Sequence, residues 1–353
     1  MTETQALRIA SISDNPDLDW VWIRDLMDED LRIAGRKLEW RSFSTAPSQS
    51  AVSPIAKNIA AHFQSLARYN GARKLADAAK NKPFDVIVSH GPLTTAWTEA
   101  VIGSAKQNGR HLGFSFNFTD LPAGPRRRLM KRAFKTVDAF AVFTEGEKSL
   151  YADWLDIDPE RLIRAPWGVA PPLSEAPPRE VDAPYVAALG GEARDYRTLC
   201  EAARLCPEIR FVAVARPHNF DGLNAPDNLK TLFNLPFNRA WGIVWHAGAA
   251  LLPLRSQETP CGLVTLVGAM HLGKAQIATA AMGVADYLQE GETGLTVPAN
   301  DAGALAAAIR RLQADPPLAA RLGANAKTFA AAHCSEPATV AFFEDLLRSW
   351  FPE

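Results

Sequence analysis

The chain has 353 residues, 47% hydrophobic and 22% charged, which is enough material for two domains of ordinary size and fits a globular protein. Its formal net charge of −1 excludes a global attraction to nucleic acid or to an acidic membrane. No apolar run reaches the length of a membrane span, and MTETQALRIAS lacks the basic flank and apolar core of a signal peptide. The four cysteines, Cys200, Cys206, Cys261 and Cys334, have no metal-type spacing, so a reduced cytoplasmic protein is expected.

In chain order, LRIASIS (7–13) reads as a strand and the amphipathic run DLDWVWIRDLMDEDLRIAG (17–35) as the helix after it. Asp17-Leu18-Asp19 has the form of a metal-binding Asp-x-Asp pattern, but acids are what a helix N-terminus favours, and the helix reading is adopted. KLEWRSFS (37–44) follows as a strand. FDVIVSH (84–90) is a buried strand leading into a helix that runs to about Gln107. HLGFSFN (111–117) and AFAVFT (139–144) are further strands, with the basic helix PRRRLMKRAFK (125–135) between them. Residues 165–184, APWGVAPPLSEAPPREVDAP, are proline-rich and aperiodic and read as a linker. Alternation resumes with YVAALGG (185–191), the helix DYRTLCEAARLC (195–206) and IRFVAVA (209–215), and ends in alanine-rich helices after Asp301. This is the order of two doubly wound α/β halves.

The densest signal is ETPCGLVTLVGAMHLGKAQIATAAMGVADYLQEGETGLTVP (258–298). The strand AALLPL (249–254) runs into a short loop, Gly262 opens an amphipathic helix, and Gly273-Lys274 closes it. The strand QIATA (276–280) comes next, then Gly283 and a turn at Gly291 and Gly294. A helix starting on glycine beyond a parallel strand presents bare N–H groups and the positive end of its dipole, which suits a nucleotide diphosphate. The other reading of Gly262 is that it permits tight helix–strand packing.

This stretch resembles the carboxyl-terminal domain of retaining, nucleotide-sugar-dependent glycosyltransferases of the GT-B fold, family-4 type. The resemblance rests on Glu258, Gly262, Ala269-Met270, Gly273-Lys274, Gly283-Val284 with Tyr287, and Gly291-Glu292-Thr293-Gly294. It departs from the family at the Glu-x7-Glu pair. The second acidic position, which commonly holds the donor ribose, falls on Gly268, and its partner falls on Pro260, with Glu258 the nearest acid. The resemblance implies two Rossmann-like doubly wound domains facing across a cleft. An acceptor-binding domain would cover 1–170 and a nucleotide-sugar-binding domain 171–335, and a helix at 336–353 would cross back to the first. The implied activity is transfer of a sugar, with retention and without a metal, from a nucleoside-diphosphate sugar to a hydroxyl of a glycan or lipid-linked acceptor, as in bacterial surface or exopolysaccharide synthesis. The co-substrate is then the nucleotide sugar. Nucleic acid is not an expected partner, and peripheral contact with the cytoplasmic face of the inner membrane is.

For the donor, the candidates are the helix start Cys261, Gly262, Leu263 and Val264, the Thr265 hydroxyl, and Glu258 by resemblance. Gly190 and Gly191 form the loop that carries Arg194, and Arg216 ends the strand IRFVAVA; either arginine could reach the diphosphate or be a surface residue. Arg194→Ala is expected to lower transfer while leaving the fold intact. For the acceptor and the chemistry, His90 closes FDVIVSH and either orients a hydroxyl or phosphate or caps the next helix. Asn117 and Asp120 follow the next strand, and Asp120 could bond the acceptor hydroxyl or cap a turn. Thr144 and Glu145 follow AFAVFT, where Thr144 could equally be an N-cap. Arg126, Arg127, Arg128, Lys131, Arg132 and Lys135 gather on the basic helix, which could rest on anionic lipid or be an ordinary solvated face. A catalytically silent relative that binds a glycan or partner, and an epimerase or phosphorylase of the same fold, are the alternative functions.

Overall fold

LRIASIS forms β1 (Leu7–Ser13), buried along its whole length as a central parallel strand covered on both faces must be. The structure is a computed structural model that describes residues 6–14, 21–45, 56–118, 120–255 and 261–353. The chain divides into two units, Met1–Ala165 with Thr339–Glu353, and Pro166–Ala338.

In the first unit the elements after β1 are α1 (Val21–Leu26), β2 (Arg32–Ile33), β3 (Arg36–Ser44), α2 (Ala56–Asn81), β4 (Val86–His90), α3 (Pro92–Ile102), β5 (Arg110–Phe114), α4 (Gly124–Phe134), β6 (Ala139–Val142), α5 (Glu145–Leu155) and β7 (Leu162–Arg164). The sheet order is β2-β3-β1-β4-β5-β6-β7, parallel except for β2. The expected helix over 17–35 is corrected here. Among the described residues only Val21–Leu26 is helical, and β2 turns back onto β3 through Ala34 and Gly35, at φ 47° and 71°. Positive φ at both central residues gives a turn whose twist matches the paired strands, a local preference that overrides the helical period. Asp17-Leu18-Asp19 lie outside the described residues. The strand expected over 111–117 ends at Phe114, because Ser115 turns to φ 51°, and this leaves Asn117 in the loop beyond it.

Thr144 is the N-cap of α5: its hydroxyl accepts from the Glu147 amide at 3.2 Å, while the Glu147 carboxylate accepts from the amides of Phe143 and Thr144 and from the Tyr151 hydroxyl. Phe116, Phe134, Phe140 and Tyr151, all buried, pack edge to face and seat α4 and α5 on the sheet.

Residues 165–184 carry no helix or strand. The second unit follows with β8 (Val186–Leu189), α6 (Tyr196–Leu205), β9 (Phe211–Ala215), β10 (Leu229–Phe233), α7 (Phe237–His246), β11 (Ala249–Leu252), α8 (Leu263–His271), β12 (Gln276–Thr279), β13 (Leu295–Val297), α9 (Ala302–Ala314) and α10 (Pro316–His333). The sheet is parallel in the order β10-β9-β8-β11-β12-β13. One face buries α6 and α9, the other α7 and α8. The last helix, α11 (Glu336–Trp350), lies from Thr339 onward with the first unit, where the Phe343 ring is 5.6 Å from that of Trp40.

Each sheet reverses its strand order once, between β1 and β4 in the first unit and between β8 and β11 in the second. In open α/β sheets ligands bind outside the carboxyl ends of the strands at such reversals, because the flanking loops part there.

Candidate functional site

At the reversal of the second sheet, the loop after β8 meets the start of α8. Gly262 sits at φ 90° and opens α8 with no side-chain cap. This conformation is natural to glycine and strained for any other residue here. The amides of Leu263 and Val264 therefore begin the helix without an intrahelical acceptor, and the dipole leaves about half a positive charge at this end.

Arg194 occupies the same corner. It is 6% exposed, and its side chain is held by three bonds: Nε donates to the Leu189 carbonyl at 3.0 Å, Nη1 to the Glu192 carbonyl at 2.9 Å, and Nη2 to the Thr265 hydroxyl at 2.8 Å. A side chain at Gly262 would come within 3.3 Å of Nη1, and one at Gly190 within 2.6 Å of Nη2, so both glycines make room for the guanidinium. All three acceptors are neutral, and among the described residues no carboxylate pairs with Arg194. Burial lowers its pKa. A buried cation beside a helix N-terminus leaves two positive ends uncompensated, an arrangement that an anion relieves.

The other donor candidates fall around this corner. Thr265 is buried, and its hydroxyl is taken by Arg194 and by the Leu189 carbonyl, so it positions the arginine instead of facing the helix mouth. Arg216 lies across Gly191, whose added Cβ would meet it at 3.1 Å, and is ion-paired with Glu192 in the open. Leu263 is buried, Val264 is 56% exposed, and Cys261 is half-buried ahead of the helix. Glu258 lies outside the described residues.

Gly268 has a different neighbour. A Cβ there would be 2.2 Å from the Trp241 ring of α7, which is 4% exposed and packs with Val244, Ala250 and Ala269. The space a side chain at position 268 would need is therefore filled by an indole.

The first unit holds a cavity of about 310 Å³ at its own reversal, outside the ends of β1, β4 and β5. The structure brings His90, Asn117, Asp120 and Arg126 together in its lining, with Gly91 and Pro92. It adds three polar residues that sequence reasoning missed, Asp14, Arg68 and Thr94, and the apolar Leu93 and Phe118. Asp14 follows the first strand directly, so the strand-end rule would have found it. Arg68 is one basic residue among several on α2 and carries no such mark. Arg68 bonds Asp14 at 2.5 Å, and Thr94, 1% exposed at the start of α3, has a hydroxyl with no hydrogen-bond partner among the described residues. Burial of the His90 ring, tilted against Phe114 with centroids 5.4 Å apart, holds its pKa down at about 3. A neutral imidazole, an amide, hydroxyls and carboxylates suit a polyol.

Behind this cavity, the Thr95 hydroxyl donates to the Gly91 carbonyl at 2.8 Å and accepts from Ser89, whose oxygen lies 2.8 Å from His111 Nε2; His111 Nδ1 is 2.5 Å from Glu99. His111 thus bridges Ser89 and Glu99 through its two ring nitrogens. Burial raises the Glu99 pKa, but the bond and charge of His111, together with Lys106, outweigh it and hold Glu99 at about 2. Ser89 and His111 are both 0% exposed, so this Ser-His-Glu series fixes the Gly91 loop and is closed to substrate.

On α4, Arg127 lies over the Trp154 ring at 4.4 Å and Lys131 is 3.5 Å from Asp156, so both serve packing onto α5. Arg126, Arg128, Arg132 and Lys135 are exposed, and Leu129 among them is 70% exposed. No described helix is long and apolar enough to cross a membrane, and the described residues hold no group of three or more side chains suited to a metal.

Two parallel doubly wound sheets, each with polar groups gathered at its strand reversal, define a GT-B fold. HepE from Anabaena, solved in complex with UDP, is similar with a TM-score of 0.72 at 13% identity, covering 97% of this chain and 100% of that one. Sucrose-phosphate synthase from Thermosynechococcus elongatus has a TM-score of 0.69 at 21% identity, with 98% and 99% coverage. The apo lipopolysaccharide outer core galactosyltransferase WaaB has 0.66 at 12%, with 97% and 99%. At these identities the likeness is one of fold. Residues 220–329, which include the Gly262 helix start, match the family model described as glycosyl transferases group 1. No curated protein matches the sequence.

Two outcomes follow from this geometry. Gly268→Ala drives a Cβ into Trp241 and should destabilise the protein by about 1–3 kcal/mol in urea denaturation; adding Trp241→Phe should recover part of that, and additive losses would contradict the contact. His90 should show no NMR titration between pH 5 and 8. Since its folded pKa is below its unfolded value near 6.5, its contribution is full above about pH 6.5 and falls toward pH 3 by at most about 1.4 kcal/mol per unit. His90→Gln should remove that part of the acid limb.

Proposed function

We propose that the protein is a glycosyltransferase that moves a sugar from a nucleoside-diphosphate donor to a hydroxyl of a glycan or lipid-linked acceptor, with retention, in bacterial surface or exopolysaccharide synthesis. One observation carries this: the buried Arg194 guanidinium beside the uncapped start of α8, two positive groups with no described carboxylate between them. The diphosphate lies against the amides of Gly262, Leu263 and Val264 with Arg194 behind them, and Arg216 at the rim. HepE of the same fold has been solved with UDP, with UDP and glucose, and with UDP-glucose, which supports a nucleotide sugar as the ligand class.

The acceptor occupies the cavity of the first unit, where His90, Asn117 and Asp120 orient its hydroxyl. In the reaction the bond from the anomeric carbon to the phosphate oxygen breaks and one to the acceptor oxygen forms on the same face. The acceptor's proton passes to the departing phosphate oxygen, so no carboxylate base is required. Charge growing on the diphosphate is what Arg194 and the α8 dipole stabilise, and the strength of that effect rises in a site shielded from water.

The exposed cations of α4, with Leu129 among them, are read as the contact with an anionic membrane surface that presents a lipid-linked acceptor. A second function, a silent relative that binds without turnover, draws on the Gly268–Trp241 contact, which closes the position of the family's second acid.

Calorimetry with UDP, GDP, ADP and dTDP tests the donor. At least one should bind, and Arg194→Lys should weaken it roughly 10- to 100-fold, the range of one or two charged hydrogen bonds. Lysine is preferred because alanine would strip Leu189, Glu192 and Thr265 of their donor and perturb the fold. Failure of all four nucleotides to bind the native protein rejects the donor reading. Sedimentation with phosphatidylglycerol vesicles tests α4: binding should fall on Arg128→Glu with Arg132→Glu, and should be absent with phosphatidylcholine.

A further inference from the structure

The first unit has an uncapped helix start of its own. Gly91, at φ 77° and ψ 155°, is the N-cap of α3 and offers no side-chain acceptor. Pro92 takes the first helical position, where a missing N–H costs nothing. A Cβ at Gly91 would meet nothing within 4 Å, so the mouth of the helix is open. Gly91, Pro92, Leu93 and Thr94 all line the cavity of about 310 Å³. The amides of Leu93 and Thr94 begin the helix without an intrahelical acceptor. With 11 residues in α3, aligned peptide dipoles add positive charge at the same end.

Thr94 is a second, independent mark of a ligand. It is 1% exposed at the cavity wall, and its hydroxyl has no hydrogen-bond partner among the described residues. Its neighbour Thr95 bonds the Gly91 carbonyl at 2.8 Å, the ordinary outlet for a threonine hydroxyl in a helix. Thr98, one turn on, also lacks a partner but does not line the cavity. Leaving a buried hydroxyl unpaired is costly, so one that persists at a cavity wall calls for a partner from outside the chain. The charges in the lining are divided. Arg68 neutralises Asp14 through their 2.5 Å bond, while Arg126 and Asp120 are both exposed.

We propose that the start of α3 is an anion subsite, which holds the phosphate of a phosphorylated acceptor on the Leu93 and Thr94 amides and the Thr94 hydroxyl, with Arg126 at its edge. This rests on the acceptor reading given above. It narrows the acceptor to a polyol that carries a phosphate, either as a soluble compound or as a lipid headgroup. Asp120 repels a phosphate, so it serves the hydroxyl end of the same acceptor together with Asn117. A volume of about 310 Å³ is at the small end for small-molecule sites and suits one phosphorylated unit better than a polymer.

Amide NMR titration with inorganic phosphate reads this subsite directly, because the starts of α3 and α8 report separately. In the native protein the Leu93 and Thr94 amides should shift and saturate. Thr94→Val removes the hydroxyl and keeps nearly the same shape. Phosphate affinity at these amides should fall roughly ten-fold, while the melting temperature without phosphate stays level or rises, since an unpaired hydroxyl is gone. Arg126→Gln, at an exposed position, should also weaken phosphate binding there without lowering the melting temperature. Glycerol 1-phosphate and dihexanoyl phosphatidic acid are then set in competition with phosphate. Tighter binding of the first supports a soluble polyol phosphate, and of the second a lipid headgroup. Silence of Leu93 and Thr94 as phosphate is raised overturns the subsite, as does equal phosphate affinity in the native protein and Thr94→Val, or failure of both competitors to displace phosphate. None of these results touches the donor reading, which falls only if all four nucleotides fail to bind.

Discussion

A guanidinium withdrawn from water with only neutral acceptors around it is the constraint from which the second unit is organised. Moving a charge into the interior costs several kcal/mol unless something compensates. Here the Leu189 and Glu192 carbonyls and the Thr265 hydroxyl supply directional bonds but no opposite charge. Two neighbouring glycines follow from the same arrangement. Gly190 and Gly262 leave the volume that the guanidinium fills. Tyr196 then ties the corner down, its hydroxyl donating to the Gly190 carbonyl at 2.5 Å from the start of α6. The loop after β8, the start of α6 and the start of α8 are thus braced around one cation before any ligand arrives, so an anion meets donors already oriented.

The glycine at position 268 is one half of a pair. Trp241 could not pack on α8 if that position carried any side chain, and α8 would lose its close approach to α7 if Trp241 were small. That contact is confined to the middle of α8. Its first turn, with Gly262 in the left-handed region and Val264 exposed, carries no side-chain cap.

The strands were legible in the sequence where burial is complete. LRIASIS and FDVIVSH stand out because both faces of a central parallel strand must be apolar, and the proline-rich run at 165–184 stands out because it can join no ladder. The stretch 17–35 misled because its amphipathic spacing continues through Arg32 and Ile33, while the reversal at Ala34-Gly35 depends on two positive φ values that alanine does not advertise. At the site, position along the strand ends was legible and side-chain direction was not. Arg194 follows two glycines in a loop, but its turn inward depends on a hydroxyl 71 residues away. The Trp241–Gly268 fit and the Arg68–Asp14 pair are likewise non-local, set by tertiary packing that no window of sequence contains.

The first unit shows the same economy with a different chemistry. Its cavity mixes the charged side chains of Asp14, Arg68, Asp120 and Arg126 with the amide of Asn117 and the hydroxyl of Thr94, and burial keeps His90 in its uncharged form. What fixes the loop beneath is a buried series, Glu99 to His111 to Ser89 to Thr95, that ends on the Gly91 carbonyl at the mouth of α3. Because its last acceptor is backbone and its side chains are buried, the series holds the loop without itself facing the cavity. Each unit therefore separates support from exposure: an internal polar scaffold holds the loop, and other groups are left at the uncapped start of α8 in one unit and in the cavity lining in the other.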